Sequence, residues 1–317
     1  MTAIETADGS DSGMPLALMQ QPRQALPASF LFSGTAMSLQ ICILETDILR
    51  PELVDQYQGY GKMFERLFAG QAIAAEFHVF NVMQGDYPPA DARFDAYLVT
   101  GSKADSFATD PWIETLKAYL LERYQAGDKL LGICFGHQLL ALLLGGKAER
   151  ASAGWGVGIH HYQLTEQPDW MTPKLDELTL LISHQDQVTR LPENATLLAT
   201  SPFCAHAAYR IGDQVLCFQG HPEFVPEYSR ALLDIRQQHI GETTYRAAVQ
   251  TLHQDHHGTG MRNVFSCGRQ SVGQPNSVLD DFQKRTIIGN STIELRFLQM
   301  LIHSLPSQSI HGLRRRM

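Results

Sequence analysis

The feature that most constrains this fold is an apolar run that passes through a glycine-flanked cysteine into a second apolar run. Residues 129–144 have the sequence KLLGICFGHQLLALLL. The first part predicts a short buried strand, and the second part predicts an apolar helix. The pattern G-x-C-x-G at such a junction is the sulfur counterpart of a nucleophile elbow, a tight turn that lifts a reactive side chain above a sheet. Cys134 is therefore a candidate nucleophile.

The residues that flank Cys134 suit this turn for physical reasons. The turn is too tight for neighbouring side chains, and we expect one or both glycines to adopt dihedral angles that are open mainly to glycine. The backbone N–H of Phe135 is expected to point at an oxyanion formed beside the cysteine. The positive end of the following helix favours a thiolate. Taken alone, however, the motif is equally compatible with a small buried cysteine.

Strand-like and helix-like segments alternate along the first half of the chain. Predicted strands lie near 39–44, 76–83 and 95–100, and predicted helices span 51–69 and about 111–124. Asp110 is the expected N-cap of the second helix, with proline at its first position. After residue 146, shorter strands are predicted near 157–164, 178–183, 195–200, 205–211 and 214–219, followed by helices at about 226–239 and 242–253. The alternation predicts an α/β protein with a mainly parallel central sheet flanked by helices.

A histidine follows the last of these predicted strands. His221 is restricted to extended geometry by Pro222, and Glu223 lies two residues further on. On an extended chain, this spacing places the two side chains on the same face. A cysteine nucleophile needs a base and a group that orients the base, so Glu223 is suited to hold the imidazole while its other nitrogen faces Cys134. Alone, a His-Pro-Glu motif is more often an ordinary loop histidine.

Taken together, the two motifs resemble those of the class I glutamine amidotransferases. The resemblance is strongest to the stand-alone branch that is similar to the amidotransferase domain of GMP synthase and that includes the γ-glutamyl peptidases of plants. It covers about residues 39–240 and implies a flavodoxin-like fold with a nucleophile elbow. The stretches that carry it are 132–138 and 219–223, with support from 100–102, 183–188 and 191–199.

The resemblance implies a role for each matching residue. Cys134 would be the nucleophile, His221 the general base and then the general acid, and Glu223 the group that orients the histidine. The oxyanion hole would use the backbone amides of Phe135 and Ser102. The substrate-binding residues implied in the same way are Gly101, Gln138, Gly156, Ser183, His184 and Asp186. For His184, a purely structural role is an equal alternative.

The activity implied by the resemblance is hydrolysis of a γ-glutamyl amide through a cysteine thioester, and three interpretations of it stay open. The first is an independent hydrolase that acts on glutamine or on a larger γ-glutamyl compound. The second is a glutaminase subunit that supplies ammonia to a synthase. The synthase would be a separate chain, since this sequence carries no Walker-type phosphate loop. The third is a catalytically silent binding module of the same fold, which the complete Cys-His-Glu set disfavours. No cofactor is implied, and no His/Cys cluster has zinc spacing.

Composition limits the compartment and the partners. The formal net charge of -8 argues against nucleic-acid binding. Five cysteines without C-x-x-C spacing indicate reduced thiols and a cytoplasmic location. No apolar run approaches the length of a membrane span, so no membrane association is expected. The expected partners are a small-molecule γ-glutamyl substrate and, in the second interpretation, a separate synthase subunit.

The chain is expected to contain one catalytic domain between two atypical segments. Residues 1–37 lack hydrophobic periodicity and are predicted to be a disordered extension. Residues 38–258 would form the amidotransferase-like domain. Residues 259–317 form a basic tail in which a capping box predicts one helix at 291–304.

Overall fold

The computed structural model of this chain describes residues 38–69, 75–169, 171 and 174–258. The predicted N-terminal extension at 1–37 lies outside the described residues, as does the basic tail at 259–317 with its predicted helix at 291–304. The predicted division of the chain into these segments therefore stays a prediction. Among the helices of the described part, none is both long enough and apolar enough to cross a bilayer.

The first half of the described chain alternates strands and helices. In chain order its elements are β1 (Leu39–Glu45), α1 (Pro51–Tyr57), α2 (Tyr60–Phe68), β2 (Ala75–Asn81), a 3-10 helix (Val82–Gln84), β3 (Ala96–Val99), α3 (Pro111–Gln125), β4 (Leu130–Ile133) and α4 (Phe135–Leu143). The second half is mostly strands, followed by two helices. These elements are β5 (Lys147–Arg150), β6 (Gly156–Leu164), β7 (Glu177–His184), β8 (Asp186–Arg190), β9 (Ala195–Thr200), β10 (Ala208–Ile211), β11 (Val215–Phe218), α5 (Pro226–Ile240) and α6 (Glu242–Thr251).

A nine-stranded sheet organises these elements in the order β2-β1-β3-β4-β11-β10-β9-β6-β7. The strands from β2 to β11 pair in parallel, and the strands from β11 to β7 pair antiparallel. Every residue of β3 and β4 is buried, as expected for central parallel strands covered on both faces. The predicted helix-flanked central sheet is confirmed. The small second sheet formed by β5 and β8 was not predicted.

Strand β1 shows how the sheet receives helices on both faces. Successive side chains of a strand point to opposite faces. Ile41 and Ile43 belong to one buried cluster with Phe64 of α2. Cys42 and Leu44 belong to a second cluster with residues of α3 and α4. Burying one such aliphatic side chain contributes roughly 1.5–3 kcal/mol, so both helix layers are held mainly by these alternating positions.

The predicted single helix over 51–69 is wrong, because the chain breaks into α1 and α2. Gln58 takes a left-handed conformation with φ of 69° and donates its N–H to the carbonyl of Val54, which closes α1. Gly59 follows with φ of 150°, and α2 begins at the next residue. Glycine next to a polar residue gave a stop signal that the apolar periodicity concealed. Asp110 does precede α3, but its side chain forms no capping hydrogen bond.

The turn at the cysteine is built differently from the sequence expectation. Cys134 itself has a positive φ of 52°, whereas neither Gly132 nor Gly136 does. The two glycines are needed for close approach instead. A Cβ on Gly132 would lie 2.6 Å from the carbonyl of Gly136, and a Cβ on Gly136 would lie 2.5 Å from the carbonyl oxygen of Val99. The left-handed backbone of Cys134 is strained. Such a conformation in a residue other than glycine costs about 1–3 kcal/mol and persists where the surrounding structure enforces it.

We expect Gly136→Ala to lower the free energy of unfolding by about 3 kcal/mol or more, because the new methyl group meets backbone atoms that cannot move aside. Urea denaturation followed by circular dichroism measures this loss. Gly85→Ala is the matched control, since Gly85 has φ of 77° and nothing lies within 4 Å of the position that its new methyl group would take. That control should cost only about 1–2 kcal/mol from its backbone conformation. Equal losses in both variants would contradict the close-approach argument.

Candidate functional site

Three loops meet at the carboxyl end of the parallel strands. Strand β4 lies between β3 and β11 and runs parallel to both. Parallel neighbours end at the same edge of a sheet, so the loops that follow them come together there. These loops carry Gly101 and Ser102 after β3, Cys134 after β4, and His221 after β11. The topology therefore brings two motifs from distant parts of the sequence to one place.

The histidine and the glutamate form a buried pair. His221 Nδ1 donates to Glu223 Oε1 at 2.8 Å, and the two residues are only 4% and 1% exposed. The pair lies in a turn in which the N–H of Phe224 reaches the His221 carbonyl at 3.4 Å, and not along an extended strand as the spacing suggested. The imidazole stacks on the Phe224 ring at 3.9 Å. The backbone N–H of His221 donates to the carbonyl of Leu181 in β7, so the base is held on several sides.

The environment of His221 favours its charged form. Burial lowers the pKa of the imidazole, but the Glu223 carboxylate and the Cys134 sulfur together outweigh burial and raise the pKa to about 10. The same two neighbours also form hydrogen bonds to the ring. An imidazolium next to a sulfur stabilises a thiolate. The arrangement is therefore suited to a thiolate–imidazolium pair with Glu223 as the counter-charge.

Gly101 lies directly against His221 and Cys134. A Cβ at this position would be 2.7 Å from His221 Cε1 and 3.5 Å from the Cβ of Cys134. The loop is fixed by Thr46, whose hydroxyl donates to the carbonyl of Gly101 at 3.0 Å. Ser102 follows and lines the cleft in front of Cys134. Only glycine permits this approach of the loop to the imidazole.

Phe135 is the first residue of α4 and follows the cysteine directly. The first amides of a helix have no partner within the helix, so the N–H of Phe135 needs an acceptor outside α4. Its side chain stacks on Trp112 with ring centres 5.6 Å apart. The side chain therefore contributes to the core, and the role of the backbone amide in an oxyanion hole stays a prediction.

Cys134 opens into a cleft of about 750 Å³, a size typical of small-molecule sites. Four basic and three acidic side chains line this cleft. They are Arg50, Lys103, Arg150, Arg236, Asp47, Asp105 and Asp186. Tyr60 and Tyr228 add two phenols that hydrogen-bond to each other at 3.0 Å. The site is consequently polar, strongly charged and accessible to a ligand larger than one amino acid.

Several of the predicted substrate-binding residues line the same cleft. Gln138 Nε2 donates to the carbonyl of Asp186 at 2.8 Å and to Gln219 Oε1 at 3.2 Å, so this side chain braces the cleft wall. Ser183 also lines the cleft and accepts a hydrogen bond at 2.7 Å from Arg236. Gly156 does not belong to the cleft lining of the described structure. A Cβ there would meet the Phe203 ring at 2.4 Å, so packing explains this glycine.

His184 is buried and held in its neutral form. Burial, together with the charges of two neighbouring histidines, lowers the pKa of His184 to about 3. Its Nδ1 donates to the carbonyl of Asp186 at 3.0 Å. This contact supports the structural alternative for His184, because the ring shapes the turn that carries Asp186.

Asp186 is part of a charged cluster that the sequence did not reveal. Burial and the neighbouring Asp105 raise its pKa to about 6, although Arg150 opposes the shift. Arg150 lies between the two carboxylates, with Nε 2.5 Å from Asp186 Oδ1 and a terminal nitrogen 2.9 Å from Asp105 Oδ1. The three residues are far apart in the chain, and no local pattern connects them. The described residues contain no group of three or more His, Cys, Asp or Glu arranged for a metal ion.

The cleft wall that α5 forms was not predicted, although the sequence contains a pattern that indicates it. Tyr228, Leu232 and Arg236 all line the cleft from α5. They are spaced by four residues, which places them on one face of a helix. A polar and aromatic helix face that follows the His-Pro-Glu segment could have been recognised as a binding surface.

The class-I glutamine amidotransferase family model matches residues 53–234, more than half of the chain. This chain therefore belongs to the class I glutamine amidotransferase family, and the predicted membership is confirmed. It is 32% identical to γ-glutamyl peptidase 3 of Arabidopsis thaliana over 186 residues, which cover 56% of this chain and 74% of that protein. It is 29% identical over 184 residues to the glutamine-hydrolysing GMP synthase of Streptococcus mutans, covering 55% of this chain and 34% of the synthase.

A solved glutamine amidotransferase from Methylobacillus flagellatus has the same fold. It superposes with a TM-score of 0.56 at 21% identity and covers 84% of this chain and 95% of its own. At this identity the likeness concerns the fold alone. The predicted class I amidotransferase architecture is confirmed.

We expect Glu223→Gln to lower the pKa of His221, because burial then acts without the opposing carboxylate and only the Cys134 sulfur still raises the pKa. In the native protein the imidazolium stabilises the fold fully below about 6.5, and this contribution is lost as the pH rises through about 10. Ring nitrogen-15 NMR titration of both proteins measures the shift. Glu227→Gln, at an exposed carboxylate of α5, should leave the titration unchanged. A native His221 that titrates near 6.5 would contradict this charge arrangement.

Proposed function

We propose that this enzyme hydrolyses a γ-glutamyl amide bond through a covalent cysteine thioester. The observation that carries the proposal is the position of Cys134, on a strained elbow beside the buried His221–Glu223 pair and open to a polar cleft. These are the three parts that nucleophilic acyl transfer requires: a nucleophile, a base and a group that orients the base. The loop at Gly101 and the start of α4 bring backbone N–H groups close to Cys134, where they can donate to an oxyanion.

In the first half of the reaction, His221 has taken the proton of the Cys134 thiol, and the thiolate attacks the γ-carbonyl carbon. A C–S bond forms, and the carbonyl π electrons move onto oxygen. The amides of Phe135 and Ser102 donate to this oxyanion, and losing one such donor typically costs about 3 kcal/mol. The oxyanion then collapses, the C–N bond breaks, and the leaving nitrogen takes the proton from His221.

In the second half, water attacks the γ-glutamyl thioester. His221, now neutral, removes a proton from the water, and a second oxyanion forms at the same amides. Its collapse breaks the C–S bond and releases the γ-carboxylic acid of glutamate. The Cys134 thiolate and the His221 imidazolium are restored, so one water molecule is consumed for each amide bond. Glu223 keeps the imidazole in place and stabilises its charge throughout.

The independent hydrolase is the interpretation that we favour. The Arabidopsis relative is named a γ-glutamyl peptidase, and the cleft has room for a group larger than ammonia beside the glutamyl moiety. A silent binding module is less favoured, because the Cys-His-Glu set is complete. A subunit that feeds a synthase is less favoured, because the Arabidopsis peptidase matches this chain at higher identity than the Streptococcus GMP synthase does. We also propose a reducing, cytoplasmic location, since the four cysteines of the described chain are all free thiols.

We expect Cys134→Ala to reduce glutamate release from γ-glutamyl substrates by roughly 1,000-fold or more, because no other group can form the thioester. Glutamate release is measured enzymatically with glutamine and γ-glutamylglycine as substrates. Cys42→Ala is the matched control, since Cys42 is a buried thiol in β1 that only packs. Acid quenching should also trap a glutamyl adduct on the native protein but not on Cys134→Ala. Equal activity in the native protein and Cys134→Ala would overturn the mechanism.

We expect Gly101→Ala to reduce kcat/KM by about 100-fold, because its methyl group would displace the imidazole and a misplacement of about 1 Å has such an effect. Ser102→Ala is the control, since it keeps the backbone amide that is proposed to act in the oxyanion hole. It should change kcat/KM by less than about threefold. Steady-state kinetics with the same substrate measures both. A large loss in Ser102→Ala would show that the hydroxyl, and not the amide, takes part.

A further inference from the structure

Arg236 is an anchored cation on one wall of the cleft. Its Nη1 donates to Ser183 Oγ at 2.7 Å, and its guanidinium carbon lies 5.7 Å from the centre of the Trp155 ring. Both contacts restrict the side chain before any ligand binds. An arginine held in this way has less conformational entropy to lose on binding, so its interactions with a ligand are stronger.

The other basic residues in the cleft differ from Arg236 in their partners. Lys103 is 3.1 Å from a carboxylate oxygen of Asp47, and Arg150 is paired with two carboxylates. Arg50 is exposed at the rim. Among the described residues, Arg236 forms no ion pair with any carboxylate. A guanidinium offers five N–H donors in a planar fork that fits a carboxylate, and the hydrogen bond to Ser183 uses only one.

Arg236 lies on the side of the cleft where we expect the leaving amine. The His221 ring stacks on Phe224, and Phe224 in turn contacts the Tyr228 ring edge-on with centres 4.6 Å apart. From Tyr228 the cleft-lining face of α5 runs through Leu232 to Arg236, about 12 Å along the helix axis at 1.5 Å per residue. His221 protonates the leaving nitrogen, so the leaving group lies on the histidine side of Cys134. The α5 face therefore extends away from the point where the amide bond breaks.

We infer that Arg236 binds a carboxylate carried by the leaving amine, and that it is the residue by which the cleft prefers γ-glutamyl amino acids and peptides to glutamine. This inference rests on the proposed hydrolysis of γ-glutamyl amides. Glutamine releases ammonia, which has no group to reach Arg236. A γ-glutamyl amino acid has one more negative charge than glutamine, and that charge matches the one anchored guanidinium of the cleft that lacks a carboxylate in the described structure.

Two substrates that differ only in this carboxylate test the inference. γ-Glutamylglycine carries it, and γ-glutamyl methylamide replaces it with hydrogen while keeping the same scissile bond. We expect the native protein to prefer γ-glutamylglycine. Arg236→Gln should lower kcat/KM for γ-glutamylglycine by about 10- to 100-fold, mainly through KM, which is the usual range for a hydrogen bond to a charged group. The same variant should change the methylamide reaction by less than about threefold.

Two further variants complete the design. Arg230→Gln is the matched control, because Arg230 lies on the same helix but is exposed and paired with Asp234. It should leave both reactions unchanged. Arg236→Lys keeps the charge without the planar fork, so it should restore part of the preference for γ-glutamylglycine. It also tests the inference if Arg236→Gln fails to fold.

The outcomes separate the inference from the function on which it rests. If Arg236→Gln lowers both reactions equally, Arg236 binds the α-carboxylate that both substrates share, and the inference is overturned. An unchanged preference in Arg236→Gln, or equal rates for both substrates in the native protein, also overturns it, while the hydrolase function stands. If the native protein hydrolyses neither substrate nor glutamine, the proposed function itself is wrong.

Discussion

The close packing of backbone against backbone at the cysteine turn is the constraint on which the rest of the site depends. Glycines at 132 and 136 let β4 turn into α4 directly against the end of β3, and the cysteine carries the strained conformation that results. Any side chain at either glycine would move α4 away from β3. That movement would separate the amide of Phe135 from the loop that carries Ser102, so the geometry of the proposed oxyanion site depends on the absence of a side chain at both glycines.

The second requirement of the site is a positive charge on His221, and this charge depends on a buried carboxylate beside the ring. A carboxylate with almost no exposure acts strongly on its neighbour, since little water screens it. Glu223, together with the Cys134 sulfur, thereby reverses the effect that burial alone would have on His221. His184 shows the opposite case, because it is buried without a carboxylate partner and stays neutral. His221 and His184 thus differ in charge state, because only His221 lies beside a carboxylate and the Cys134 sulfur.

The sequence predicted the parts of the site that are local. Two short motifs located the elbow and the His-Pro-Glu segment, and the apolar strands predicted the sheet. The geometry of both motifs was predicted less well, because Cys134 and not a glycine takes the positive φ and His221 lies in a turn. The sequence could not predict contacts between distant segments, such as Arg150 with its two carboxylates or Arg236 with Ser183. The close approach of Val99 to Gly136 belongs to the same class. Apolar periodicity also concealed the break at Gln58, where a cap outweighed the helical pattern.

Strand β7 contacts both His221, the proposed base, and Arg236, the residue proposed to bind the leaving group. The carbonyl of Leu181 holds the backbone of His221, and two residues further along the same strand Ser183 holds the guanidinium of Arg236. A shift of this strand would therefore disturb the rate of bond cleavage and the choice of leaving group together. Evolution toward new leaving groups should then proceed through Leu232 and Arg236 on the face of α5, since Tyr228 packs against the Phe224 ring that stacks on His221. Divergence among related enzymes would accumulate on the helix, while the strand behind it stays constant.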